Sequence, residues 1–257
     1  MMKMKRAVAT RLHTSNEAIP IDVEKIKCWC EDALGYCDLL VLVLDDRHYQ
    51  KLKGLFEEFG NRVKLFHVHP WISYTQPLNM IVEKALVLGV THLLFQSIEV
   101  TVSKEDVQKL ADHMDENTLV IGAKLHEKHG RRQGMQLLNG WNAPWNTLAL
   151  WNLQKLGLTG FLTISSGNID GIPGGVEEVV AISLLQHLQP SKMTAKLITL
   201  DSVHWNASWE CEYRTKYHES KMASKQERAM AQLEVLHIQD GVVFVCDEGR
   251  STSPTAP

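Results

Sequence analysis

The sequence predicts an α/β protein built on a mainly parallel β-sheet with helices on both faces. Short apolar runs that suit buried strands alternate with segments whose apolar residues recur at helical spacing, and this order repeats about four times before residue 123. Such an alternation requires parallel strands joined by crossover helices. The run DLLVLVL at residues 38–44 is apolar almost throughout, which is typical of a strand covered on both faces.

The predicted elements of the first half follow from this pattern. We predict strands at residues 6–12, 38–44, 63–68, 91–95 and 118–123, and helices at residues 22–33, 49–59, 75–88 and 104–114. Gly60 and Gly89 end the second and third helices. Ser103 begins the fourth helix, and Asp106 completes an S-x-x-D capping box with it.

The second half is less regular. We predict, in order, a polar loop at residues 126–140, a helix at 143–156, a glycine-rich mobile loop at 165–175, a helix at 177–188, a strand at 195–200, a polar helix near 218–231 and a β-hairpin that pairs 234–238 with 242–246. The last residues, 251–257, are expected to be disordered.

Composition and charge exclude several classes of protein. The 257 residues carry 27 basic and 30 acidic side chains, a balance that gives no electrostatic reason to expect nucleic acid as a partner. The longest apolar run is far shorter than the ~20 residues that cross a membrane, so we expect no transmembrane segment and a cytoplasmic protein. Five cysteines without a CxxC pair favour reduced thiols over disulfides or structural zinc.

Polar residues follow the predicted strands at two places. Asp45 and Asp46 end the second strand, where an aspartate can accept hydrogen bonds from a ribose or a base. Taken alone, the pair is better explained as two acids at the N-terminus of a helix, where negative charge is favourable. Ser97 and Glu99 follow the fourth strand. Carboxylates at i and i+2 can bind a divalent ion, but only one of these two residues is charged.

The second half adds candidate catalytic and aromatic residues. Glu177 and Glu178 begin a helix behind the glycine-rich loop, where one can act as a general base or both can simply complement the helix dipole. His204 follows a strand and can serve as a metal ligand or pack beside Trp205. Five tryptophans can stack on sugar rings or fill the core: Trp141, Trp145, Trp151, Trp205 and Trp209.

The order of these motifs resembles the family-2-like glycosyltransferases of the GT-A fold, over about residues 6–205. VLVLDDRHYQKLKGLFEEFGNRVKLFHVH resembles the family's strand that ends in two aspartates, with the following helix and strand. LNMIVEKALVLGVTHLLFQSIEV resembles the helix and strand that lead to its metal-binding D-x-D motif. HTSNE resembles its first-strand T-x-N-E signature, and GVEE resembles the E-D motif of the catalytic base.

This resemblance implies a Rossmann-like GT-A domain over residues 1–250, with a nucleotide-binding half at 6–123 and an acceptor half at 124–250. Its donor would be a nucleotide sugar and its acceptor a carbohydrate or another hydroxyl compound. The resemblance further implies site roles: Thr14, Ser15, Asp45, Asp46 and Ser97 in nucleotide binding, Glu99 and His204 as ligands of Mg²⁺ or Mn²⁺, and Glu178 as the base of an inverting transfer.

The sequence departs from the family pattern at the metal site and at the base. Ser97 replaces the first aspartate of D-x-D, and Glu178 is one methylene longer than the usual aspartate. Either metal binding is weak, or cations such as Arg131 and Arg132 replace the metal, or transfer activity has been lost. A Q-x-x-R-W motif is absent, which argues against a processive polymer synthase.

Two alternatives to a glycosyltransferase remain open. One is a non-catalytic GT-A-like protein that binds a nucleotide or a partner. The other is a nucleotidyltransferase, which would have a basic, glycine-rich first loop where this sequence has HTSNE.

Overall fold

The fold is a mainly parallel β-sheet with helices packed on both faces, as the sequence predicts. The computed structural model describes residues 5–14, 16, 19–208 and 211–246. The strands in this part of the chain are β1 (Arg6–Leu12), β2 (Leu39–Leu44), β3 (Val63–His67), β4 (His92–Gln96), β5 (Val100–Thr101), β6 (Thr118–Ala123), β7 (Gly134–Leu137), β8 (Leu148–Asn152), β9 (Thr194–Ile198), β10 (His204–Trp205) and β11 (Val242–Cys246). The helices are α1 (Val23–Leu34), α2 (Asp46–Leu52), α3 (Thr75–Val87), α4 (Lys104–Asp112), α5 (Leu153–Leu156), α6 (Glu177–Leu188), α7 (Glu212–Ala223) and α8 (Lys225–Leu236).

Nine of the described strands form one sheet in the order β3-β2-β1-β4-β8-β6-β9-β11-β7. β1 pairs in parallel with both β2 and β4, and β6, β9 and β11 are also mutually parallel. β8 is antiparallel to β4 and β6, and β7 is antiparallel to β11. β5 and β10 form a separate two-stranded sheet. Because β1 lies between β2 and β4, the chain reverses its strand order there, and such a reversal opens a crevice at the carboxyl ends of the strands.

β2 shows why the sheet is covered on both sides. All six of its residues are buried, and neighbouring residues point to opposite faces. Val41 and Val43 share a buried cluster with Ile81 of α3, whereas Leu42 belongs to the cluster that contains Ile26 of α1. The continuous apolar run is therefore the signature of a strand between two helical layers.

The predicted capping box at α4 forms only in part. The Ser103 hydroxyl accepts a hydrogen bond from the Asp106 N–H at 3.0 Å. The buried Asp106 carboxylate does not return to Ser103 but accepts from the Ser202 N–H at 2.8 Å. The motif thus begins the helix and also joins it to the segment that follows β9.

Several predictions for the second half are wrong. Residues 148–152 were predicted to be helical but form β8. This apolar run pairs with β4 on one side and β6 on the other, and the pairing within the sheet overrides its ambiguous helical spacing. The predicted hairpin does not form: residues 234–236 belong to α8, and β11 lies between β9 and β7. The predicted loop at 126–140 contains β7, and two helices replace the single helix near 218–231.

None of the described helices combines the length and the apolar composition that a membrane-spanning helix requires. The predicted disordered tail lies outside the described residues.

Gly122→Ala should destabilise the fold, because Gly122 of β6 faces Pro144 at a distance that only glycine allows. A Cβ at this position would lie 2.7 Å from the Cβ of Pro144. We expect the free energy of unfolding to fall by about 1–3 kcal/mol, measured by urea denaturation. Gly54→Ala is the matched control, because a Cβ there meets no atom within 4 Å. Equal stability of the two variants would contradict the close approach of β6 and Pro144.

Candidate active site

The main cleft lies beyond the carboxyl ends of the central strands. It measures about 820 Å³, and it is lined where β1 ends, by Leu12, His13 and Thr14, and in the loop after β4, by Ser97 and Glu99. Open α/β sheets bind ligands at this edge, where the strand order reverses. The strands therefore bring together segments that lie more than 80 residues apart in the sequence.

Asp45 lies beneath the cleft and is not among the residues that line it. Its buried carboxylate accepts hydrogen bonds from the Thr14 N–H at 3.0 Å and from the His48 N–H at 2.8 Å, and it contacts the His13 ring at 3.0 Å. Burial would raise the pKa of Asp45, but the bonds from His48 and Thr14 outweigh burial and lower the pKa. Asp45 thus caps α2 and fixes the loop after β1.

An aromatic pair forms one wall of the cleft. The His13 ring stacks on Trp71, with centroids 4.6 Å apart and planes inclined by 10°. Both residues line the cleft, and so does Thr14. A flat aromatic surface of this kind suits a nucleobase. Ser15, predicted to share this role, lies outside the described residues.

Asp46 does not face the cleft. Its carboxylate contacts His67 Nε2 at 2.5 Å and His69 Nδ1 at 2.7 Å, and more than half of its side chain is exposed. Asp46 therefore lies beside these two histidines at the surface and is not among the residues that line the cleft.

Glu99 is held by two cations at the floor of the cleft. Its Oε1 pairs with Arg214 Nη2 at 3.1 Å, and its Oε2 pairs with Lys25 Nζ. The Ser97 hydroxyl accepts a hydrogen bond from the Glu99 N–H at 3.2 Å. His204 is exposed on β10, where it pairs with Thr101.

These residues do not fit the divalent ion that the family resemblance implies. Ser97 supplies no carboxylate, and both oxygens of Glu99 already contact positive charges that would repel a metal ion. Within residues 5–14, 16, 19–208 and 211–246, no group of three or more His, Cys, Asp or Glu side chains is arranged to hold a metal.

A second, smaller pocket of about 280 Å³ adjoins the main cleft and contains Glu177, Glu178 and Lys225. The two cavities share Arg11 and Ser97 as lining residues. Glu178 is buried and accepts a hydrogen bond from the Asn146 N–H at 2.6 Å. Glu177 is also buried and pairs with Arg11 at 3.3 Å. Among the described residues, Glu178 therefore has no ion-pair contact, whereas the neighbouring Glu177 is paired with Arg11.

Burial and charge bring the pKa of Glu178 close to neutrality. Burial, reinforced by the negative charge of Glu177, raises the pKa of Glu178 to about 7. The positive charge of Lys225 acts in the opposite direction. Burial also lowers the pKa of Lys225 to about 8, and its Nζ lies 3.6 Å from the centroid of the Trp145 ring. A carboxylate with a pKa near neutrality has the properties of a general base.

The turn before α6 is fixed in an unusual conformation. Gly175 has φ +114° and Val176 has φ +55°, a left-handed conformation that β-branched residues rarely adopt. Arg228 donates to the Gly174 carbonyl at 2.9 Å, and Gln232 donates to the Gly175 carbonyl at 2.9 Å. The end of the loop that we predicted to be mobile is therefore held by α8. Strain of this kind persists only where the surroundings enforce it, as at functional sites.

Sequence reasoning missed the contribution of α7 to the cleft. α7 has no buried residue, yet Arg214, Tyr217 and Lys221 line the cleft. Arg131 and Arg132, proposed as replacements for the metal, are exposed in the loop before β7 and do not line it.

The second-half tryptophans mainly serve the interior. Trp145 and Trp151 are buried in the core, and Trp141 and Trp205 pack against it. Trp209 lies outside the described residues.

The only local signal for α7 was its polar helical pattern, which does not reveal which residues face a cavity.

Comparisons with known proteins agree with this architecture. The chain is similar to GalNAc-T7 in complex with UDP, GalNAc and Mn²⁺, with 10% identity and a TM-score of 0.56, over 92% of this chain and 55% of that one. It is similar to Staphylococcus aureus TarS 1–349, with 12% identity and a TM-score of 0.51, over 79% of this chain and 59% of that one.

A third solved structure matches over nearly its whole length. This is the 4-diphosphocytidyl-2C-methyl-D-erythritol synthase of Anaerococcus prevotii DSM 20548, with 10% identity and a TM-score of 0.51, over 86% of this chain and 99% of that one. No protein-family model matches the chain, and no curated protein sequence matches it. At these identities the likeness concerns the fold alone, and the fold is GT-A-like, of the Rossmann type.

Proposed function

We propose that the chain is a nucleotide-sugar-dependent glycosyltransferase that inverts the anomeric carbon and transfers single sugars to a hydroxyl acceptor. One observation carries the proposal: the buried Glu178, with its pKa raised to about 7, lies in a small polar pocket that adjoins a large cleft at the carboxyl edge of the sheet. In this proposal the nucleotide occupies the large cleft and the reacting sugar occupies the smaller pocket.

The arrangement supports a single displacement. Glu178 takes the proton of the acceptor hydroxyl, whose oxygen forms a bond to the anomeric carbon while the bond from that carbon to the diphosphate breaks. The diphosphate leaves with the electron pair of the broken bond, and positive charges must stabilise it. The stacked His13 and Trp71 rings would hold the base.

Asn146 supports the placement of a polar ligand in the smaller pocket. Its Oδ1 accepts a hydrogen bond from Trp151 Nε1 at 3.0 Å, which fixes the orientation of the amide. Its Nδ2 is buried and has no hydrogen-bond partner among the described residues. Buried donors are almost always satisfied in native proteins, and a sugar hydroxyl would satisfy this one.

The test is a donor screen. UDP-, GDP-, CDP- and TDP-sugars are incubated with the chain, and the released nucleoside diphosphate is measured. Release from one donor class, lost in Glu178→Gln, is the expected result. Binding of a nucleoside diphosphate without release from any donor would overturn this proposal in favour of a non-catalytic GT-A-like binding protein.

A second candidate is a nucleotidyltransferase. The extent of the structural match favours it, because the match spans 99% of the length of the synthase described above and 96% of the length of the inositol-1-phosphate CTP transferase from T. maritima. The described part of the loop after β1 argues against it, since His13, Thr14 and Asn16 supply neither the lysine or arginine side chains nor the glycines of a triphosphate-binding loop. Release of pyrophosphate from a nucleoside triphosphate, when the chain is incubated with it and a phosphorylated polyol as acceptor, would favour this candidate.

Lys225→Met should shift the pH dependence of transfer. Because the base must be ionised, the wild-type rate should rise with pH and level off above about pH 7. Lys225 lowers the pKa of Glu178, so removing its charge raises that pKa and moves the acid limb upward. A movement of about one unit would lower the rate at pH 7 roughly fivefold and leave the rate at high pH unchanged.

The matched control for this profile is Lys216→Met, on the exposed face of α7, where Lys216 pairs only with Glu212 among the ion pairs of the described residues. This control should keep the wild-type profile. An unchanged acid limb in Lys225→Met would contradict the electrostatic coupling to Glu178.

A further inference from the structure

Positive charge predominates in the main cleft. Among the described residues that line it, four side chains are cationic and two are carboxylates. The cations are Arg11, Lys25, Arg214 and Lys221, and the carboxylates are Asp22 and Glu99. A cleft with this balance attracts an anionic ligand.

Two of these cations meet at the position where the family pattern places a metal ion. Glu99 stands at the second acidic position of the D-x-D pattern, and each of its oxygens contacts a different cation, Lys25 or Arg214. The Glu99 side chain is 8% exposed, whereas those of Lys25 and Arg214 are 37% and 39% exposed. The carboxylate is therefore more enclosed than the two cations, and the formal charges of these three side chains sum to one positive unit.

The chemistry of these two cations suits a diphosphate. The planar guanidinium of Arg214 can donate two parallel hydrogen bonds to phosphate oxygens, and the Lys25 ammonium can supply a mobile point charge. They come from α1 and α7, both line the cleft, and they contact different oxygens of Glu99, so a diphosphate above this carboxylate can contact both.

We infer that Lys25 and Arg214, positioned by Glu99, bind and neutralise the diphosphate of the ligand in the role that a divalent cation fills in the family pattern. The chain then binds nucleoside diphosphates without Mg²⁺ or Mn²⁺. This inference rests on the proposed function for the identity of the ligand, and it makes Glu99 a positioning residue for cations.

The experiment measures binding without turnover. Inorganic pyrophosphate and the nucleoside diphosphates UDP, GDP, CDP and TDP are titrated calorimetrically into the full chain, once with EDTA and once with Mn²⁺. The expected dissociation constants agree within about twofold between the two conditions, because the protein supplies the charge. Binding that appears only with Mn²⁺ would overturn the inference.

Variants distinguish a diphosphate site built from protein cations from one that depends on a metal ion. Lys25→Met and Arg214→Gln should each weaken diphosphate binding roughly tenfold, since each removes charge-assisted hydrogen bonds. Lys216→Met, also on α7, is the control and should bind as the wild type does. Wild-type affinity in both Lys25→Met and Arg214→Gln would overturn the inference.

Glu99→Gln gives opposite results under the two mechanisms. It removes a ligand from a metal site and would abolish Mn²⁺-dependent binding. In the arrangement seen here glutamine removes a negative charge from beneath the cations but keeps an amide oxygen that can accept a hydrogen bond from Lys25 or Arg214, so binding in EDTA should persist. Loss of binding in Glu99→Gln, with the fold intact by circular dichroism, would overturn the inference.

The proposed function and this inference fail in different ways. Diphosphate binding in EDTA without turnover of any sugar donor would reject the transferase and keep the cation site. Turnover that requires Mn²⁺ and proceeds at the wild-type rate in Lys25→Met would keep the transferase and reject the cation site.

Discussion

Glu178→Gln should lower the rate of sugar transfer by at least about a hundredfold, because a general base contributes about 10²–10⁴-fold to such a step. Glutamine keeps the size of the side chain and an oxygen that can accept the Asn146 N–H bond, but it cannot take up a proton at neutral pH. The measurement is kcat for release of the nucleoside diphosphate in the presence of acceptor, alongside the dissociation constant for the nucleotide, which should not change.

Glu177→Gln is the matched control for this variant. Glu177 is the neighbouring buried carboxylate, and its negative charge raises the pKa of Glu178. Removing that charge should lower the pKa of Glu178, move the acid limb of the rate profile to lower pH and keep the rate at pH 8 within about tenfold of the wild type. A fully active Glu178→Gln would assign the base to another residue.

Trp151→Ala should produce the largest loss of stability that we predict. Trp151 lies in β8 at the centre of the sheet, is fully buried, and meets the Phe161 ring edge-on at 5.5 Å. Removing a buried tryptophan leaves a cavity and costs about 3–5 kcal/mol in the free energy of unfolding. Urea denaturation followed by circular dichroism measures the change.

Trp71→Ala is the counterpart on the cleft wall. Trp71 is only partly buried, packs at the edge of the core and stacks on His13, so its loss should weaken nucleotide binding and lower the free energy of unfolding by less than Trp151→Ala does. A large loss of stability in this variant, or a small one in Trp151→Ala, would contradict the assignment of one tryptophan to the cleft and the other to the core.

The sequence by itself predicted the fold class and most of its first half. β2 is apolar throughout, and the apolar residues around Ile26 and Ile81 recur at helical spacing. Both patterns depend only on residues that are close in the sequence, so they can be recognised without the tertiary structure. The capping serine of α4 was predictable for the same reason, since Ser103 and its partner N–H lie three residues apart. Even in the second half, the position of Glu178 at the start of a helix was readable from the chain.

The tertiary structure alone decided the rest. Residues 148–152 form a strand because β4 and β6 leave a slot between them, and no local period distinguishes a buried strand from a buried helix over so short a run. Asp45 supports the loop after β1 and does not line the cleft, a distinction that depends on where the Thr14 N–H points. Glu99 meets Lys25 and Arg214 across 74 and 115 residues of sequence, and charges so far apart are brought together only by the folded chain.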